Sequence, residues 1–100
     1  KSLRKSNNKN SKIKFNKIIS YIRMLKQNGL ELGIPYMKHL VDNIWELRPL
    51  RDRILLAYLE NNEFILLTIF MKKTQKTPKR EIEKAKRLLR DYIDRSERNE

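Results

Sequence analysis

Cysteine is absent from the 100-residue chain. That excludes a disulfide scaffold, thiol catalysis and thiolate zinc sites. A single histidine argues against a His-rich metal centre, and no carboxylate pattern of the EF-hand kind occurs. No metal and no cofactor is therefore expected. Two glycines are too few for the Gly-rich loops that cradle nucleotide phosphates. No apolar run approaches the ~20 residues of a membrane span, and no apolar leader opens the sequence. The expectation is a cytoplasmic protein with no membrane association. No Ser/His/Asp set with recognisable spacing is present.

Positive charge is what the chain has in excess. Lys and Arg number 24 against 12 Asp and Glu, a net charge of +12. Residues 1–30 hold nine basic residues and no acid. Residues 31–70 hold four basic and six acidic residues. Residues 71–80 hold five basic residues and no acid, and 81–100 hold six of each sign. The excess thus comes from two segments, and it points to a polyanionic partner. Hydrophobic residues at 39% are too many for a disordered chain, and the length suits one domain over 1–100.

Residues 1–11 read as a flexible start. From Ser11 a helical period begins, with Phe15, Ile18, Ile19, Ile22 and Leu25 on one stripe. Gly29 can end that helix in a left-handed cap, with Leu30 making the apolar contact that follows. Gly33 and Pro35 place a turn in 30–36, and 36–43 matches no single pattern. Three strand-like runs follow: Ile44–Arg48, Arg53–Leu59 and Glu63–Met71. Pro49–Asp52 turns between the first two, and Asn61-Asn62 can form a tight turn between the last two. Thr77 suits an N-cap and Pro78 a first helical position, opening a helix whose apolar face is Ile82, Ala85, Leu89, Tyr92 and Ile93. The fold class is α+β: an N-terminal helix, an antiparallel three-stranded meander and a C-terminal helix.

Two basic clusters stand out. The segment 71–80 places five cations where a helix begins. Cations there cost ~0.3–1 kcal/mol each at exposed sites. A bound phosphate reverses the sign, because helix dipole, N–H groups and lysines all attract it. Arg48, Arg51 and Arg53 flank the Pro49 turn, and a loop of 49–52 sets Arg48 and Arg53 opposite one another across the ladder. Like charges so placed destabilise a hairpin. An internal carboxylate, Glu46 or Asp52, can relieve them; so can an RNA phosphate, which guanidinium groups bind through paired hydrogen bonds. His39 lies beside Lys38. Trp45 faces the core, as do Tyr58 and Tyr92, whereas Tyr21 and Tyr36 are of a type that can stack on bases.

The strings IWELRPLRDRILLAYL and FILLTIFMKKTQKTPKREIEKAKRLL resemble the HigB-type toxins of the RelE superfamily, phage-derived members of bacterial toxin–antitoxin systems. The resemblance covers roughly residues 12–95. Its most specific pieces are Trp45-Glu46-Leu47-Arg48, Arg51-Asp52-Arg53 and Phe70–Glu81. It implies a metal-independent endoribonuclease that enters the ribosomal A site and cuts messenger RNA during translation. It implies further a helix-turn-helix antitoxin as partner, in a toxin–antitoxin hetero-oligomer, with DNA contacted only through that antitoxin. Arg53 matches the strand arginine that handles the scissile phosphate, and Lys72, Lys73 and Lys76 match the basic motif after the last strand. The resemblance further implies a strand ahead of the first helix that has no counterpart in these residues, and the expectation without it is an open sheet edge. Many also carry a C-terminal tyrosine or histidine where this chain has lysines and threonines.

Cleavage by the 2′-OH needs in-line alignment, proton transfer and stabilisation of added negative charge. Arg53 and Arg48 are the expected phosphate clamps, and Lys73 or Lys76 the proton donor or acceptor. Glu46 and His39 are the remaining candidate bases. Arg51, Lys72, Lys38, His39 and Lys79 are the expected RNA contacts. A non-catalytic RNA- or DNA-binding module using the same patches is the alternative.

Overall fold

The computed structural model describes residues 9–60, 63–73 and 76–98. The expected flexible start up to residue 8 and the Asn61-Asn62 turn lie outside the described residues.

Helix α1 spans Lys9–Asn28, opening two residues before Ser11. Gly29 ends it with φ +61°, a conformation that favours glycine. A 3-10 turn, Gly29–Glu31, follows and is closed by the Leu32 N–H donating to the Gly29 carbonyl at 3.1 Å. Leu30 stays 41% exposed; Leu32 fills the core position instead. The tighter 3-10 winding delays the apolar contact by two residues.

Four strands follow, not three. They are β1 (Met37–Val41), β2 (Ile44–Leu47), β3 (Asp52–Leu59) and β4 (Glu63–Met71). They pair antiparallel in the order β1-β2-β3-β4. The extra strand lies in the segment with no clear pattern. As an edge strand it leaves both Lys38 and His39 exposed, which breaks strict alternation. It joins β2 through Asp42 and Asn43, with Asp42 at φ 50°. Asn43 fixes that turn by donating from Nδ2 to the Tyr58 carbonyl at 3.0 Å.

Helix α2 spans Lys79–Arg98. The two helices cover opposite faces of the sheet. Ile54 and Leu56 of β3 meet α1 through Leu25, Ile18, Tyr21 and Ile22. Leu55 and Ala57 meet α2 through Ala85, Leu89 and Ile82. This double coverage explains why β3 is a continuous apolar run rather than an alternating one. Burying a side chain such as Leu55 or Leu56 contributes about 1.5–3 kcal/mol.

The helical stripes are only partly used. Phe15 and Ile19 on α1 remain exposed at 51% and 37%, and Tyr92 and Ile93 near the end of α2 are also exposed. On β4 a bulge opposite Leu55 and Leu56 shifts the register, leaving Leu67 without a partner. Beyond the bulge, Thr68 and Phe70 lie on the α2 side. Thr68 donates to Glu81 Oε1 at 3.2 Å, which ties β4 to the first turn of α2. No helix among the described residues is long and apolar enough to cross a membrane.

Candidate nucleic-acid interface

The bend between β2 and β3 is built by Pro49, Leu50 and Arg51. Pro49 is buried, Leu50 has φ 57°, and the Asp52 N–H donates to the Pro49 carbonyl at 3.0 Å. This compact turn throws Arg51 outward and returns Arg53 toward the sheet. At the end of β4 the Lys72 N–H donates to the Arg51 carbonyl at 2.8 Å. The basic segment after β4 is thereby attached to the arginine bend.

The consequence is one shared groove. Leu50, Arg51, Arg53, Met71, Lys72 and Lys73 line an open concavity of about 520 Å³. Both basic clusters contribute to it, one ahead of β3 and one after β4, at the same open end of the β3–β4 hairpin. Arg51 and Lys73 are exposed, Lys72 is half-buried and Arg53 is 8% exposed. Among the described residues no carboxylate lies within ion-pairing distance of Arg51, Lys72 or Lys73.

Arg53 is held from behind. Its Nη1 donates to the carbonyls of Leu50 at 2.9 Å and Asp52 at 2.7 Å. Its Nε is buried with no hydrogen-bond partner among the described residues. Burial lowers its pKa from the ordinary arginine value; Glu46 opposes the shift and Arg48 adds to it. Arginine starts so high that the charge persists at any working pH.

The β2–β3 pairing ends at Leu47 and Ile54, but Arg48 still acts electrostatically on Arg53, and that repulsion is relieved from inside. Glu46, only 2% exposed, forms an ion pair with Arg48 Nε at 3.7 Å and acts electrostatically on Arg53. Its other carboxylate oxygen accepts from the Thr77 hydroxyl. Thr77 was expected to cap α2; its hydroxyl instead reaches β2, thirty-one positions earlier. Asp52 is paired with Lys14 of α1 at 3.4 Å. Of the two expected counter-charges, Glu46 serves the arginines, while the Asp52 carboxylate also answers to α1. Its place before Pro78 marks Thr77 only as a cap, and no local signal reveals its partner.

The remaining candidates lie elsewhere. Arg48 is half-buried at Glu46 and does not line the groove. Lys76 and Lys79 are exposed and outside its lining. Lys38 pairs in register with Glu46 but is exposed on the edge strand. His39 packs edge-on against Trp45 with centroids 4.8 Å apart, and its Nε2 lies 2.5 Å from the Asp42 carbonyl. It belongs to the β1–β2 hairpin, not to the groove. Tyr21 and Tyr36 pair with each other edge-on at 5.7 Å. Among the described residues no cluster of three or more His, Asp or Glu could hold a metal ion.

A family model described as Phage derived protein Gp49-like (DUF891) matches residues 5–90. The chain belongs to the Gp49-like family of phage-derived proteins. This family is RelE-like and toxin-like in kind. Every lining residue of the groove falls inside the matched span of the Gp49-like family. No curated protein matches the chain.

Proposed function

We propose that this Gp49-like chain is the HigB-type toxin of a type II toxin–antitoxin system, a ribosome-dependent endoribonuclease that cleaves messenger RNA during translation. The observation carrying this reading is the convergence of Arg51, Arg53, Lys72 and Lys73 on one groove. A single backbone phosphate placed there meets guanidinium groups on one side and ammonium groups on the other. That arrangement stabilises the added negative charge of a pentacoordinate phosphorane more than it stabilises the ground state. Arg53 supplies the pre-set charge, because its side chain is already pinned to two carbonyls. Lys73, exposed at the groove, exchanges the proton. Glu46 is withdrawn from the role of base: it is buried, and both of its oxygens are engaged. The partners on this reading are messenger RNA in the ribosome and a helix-turn-helix antitoxin that covers the basic groove in a hetero-oligomer. DNA is contacted only through the antitoxin, and the protein works in the cytoplasm.

The reading is tested by expressing the chain in cells and mapping transcript ends. New 5′ ends inside translated messages are expected, lost on Arg53→Ala. No new ends at toxic levels of expression would sink it.

One observation favours a second reading. Among the described residues the groove lining holds no carboxylate and no imidazole. A non-catalytic RNA-binding module needs neither, and it would arrest translation without cutting any message.

A further inference from the structure

Thr77 stands immediately before Pro78, whose carbonyl accepts from the N–H groups of Glu81 and Ile82 as α2 begins. A threonine so placed ordinarily caps its own helix. Here its side chain crosses to Glu46 on β2. Glu46 is buried beside Arg48, and its charge reaches Arg53. The segment carrying the groove lysines is therefore attached at two described points. Lys72 is tied through its backbone to Arg51, and Thr77 through its hydroxyl to the carboxylate behind the arginines.

We propose that Glu46 and Thr77 are positioning residues, whose hydrogen bond clamps the lysine-bearing segment against the arginine bend so that both cation groups grip the same phosphate. This rests on the function proposed above and deepens it. Neither residue touches the RNA. Glu46 does two jobs from one buried position: one oxygen neutralises the arginine pair and the other sets the place of the lysines. Loss of the link leaves every cation present but no longer held in one geometry. Misplacement of about 1 Å can cost on the order of 100-fold in rate, while total charge is unchanged. The defect should therefore appear in the chemical step and not in the ionic part of binding.

The test compares Thr77→Val, which keeps shape and removes the hydroxyl, with Thr77→Ser, which restores it. Three quantities are read: cleavage rate per folded molecule in a translating extract, amide hydrogen exchange at Lys72, Lys73, Lys76 and Thr77, and the salt dependence of binding to a short single-stranded RNA. For Thr77→Val the rate should fall on the order of tenfold or more. Exchange at those four amides should quicken while β3 amides keep their protection, and the salt slope should match the parent. Thr77→Ser should return rate and exchange close to parental values. A parental rate in Thr77→Val, unaltered exchange, or a serine variant as impaired as the valine would each overturn the clamp. If the parent itself cuts no message, the proposed function falls, and the exchange comparison still decides the clamp.

Discussion

The backbone N–H of Lys72 donates to the carbonyl of Arg51 at 2.8 Å. It joins the exit of β4 to the bend ahead of β3, at one end of the hairpin where Asp52 pairs with Met71. Backbone geometry alone thus brings two basic segments together. Their mutual repulsion is tolerated because Glu46 lies behind the arginines and the exposed lysines remain in water.

If the groove is the RNA-binding surface, its charges should account for the salt response of binding. Each phosphate contact on a single strand contributes roughly 0.7 to the slope of log affinity against log salt. Replacing Arg51, Lys72 and Lys73 by Gln should lower that slope by about two. Replacing Lys38, His39 and Lys79 by Gln should leave it near the parental value. Titrations of a short RNA at several salt concentrations check both, and equal losses from the two sets would disprove the groove.

Arg53 should matter for activity more than for stability. Its Nε is buried without a partner among the described residues, and such a group costs roughly 1–3 kcal/mol. Arg53→Met should therefore unfold at the same or a higher urea concentration while losing on the order of 100-fold or more in cleavage. The sign of the pH effect follows from the lowered pKa. The folded state disfavours the charged arginine relative to the unfolded chain. That cost is fully present below the folded pKa and is relieved only as pH rises through it, so Arg53 contributes no stability slope between roughly pH 6 and 9. Parallel urea titrations of parent and Arg53→Met across that range should differ by a constant amount.

The end of α1 offers a clean packing contrast. Leu32→Ala should cost about 2–4 kcal/mol, because Leu32 is 7% exposed in the cluster with Leu25 and Met37. Leu30→Ala should stay within about 0.5 kcal/mol. Chemical denaturation of the two variants measures the difference, and a reversed order would show that Leu30, not Leu32, fills the core position.

Gly29 carries the left-handed turn with open space where a side chain would begin. Gly29→Ala should therefore destabilise by about 1 kcal/mol through backbone strain alone. Gly33→Ala, also into open space but without positive φ, should not destabilise. Thermal melts of both variants distinguish strain from crowding.

Much of the framework was legible in the residues themselves. The helical period of 11–25, the apolar run of β3 and the start of α2, at Lys79 and one residue past the expected Pro78, each arise from forces acting within a few positions. Their pattern survives in the linear order. Segment 36–43 was not legible, because an edge strand with exposed neighbours, Lys38 and His39, shows no alternation to read. Phe15 and Ile19 matched the helical stripe and yet stayed exposed, since the period marks a face but not how much of it the sheet will cover.

The sequence by itself determined an α+β domain with its positive charge gathered into two segments. Only the tertiary structure decided which of those cations share a groove, which carboxylate neutralises the arginines and where the Thr77 hydroxyl points. The physical reason is range. Periodicity and turn preference act between near neighbours, whereas the partner of a polar side chain is set by strand register and by the helix packed over it. Glu46 and Thr77 are thirty-one positions apart in the chain, and only the packing of α2 on the sheet brings them into contact.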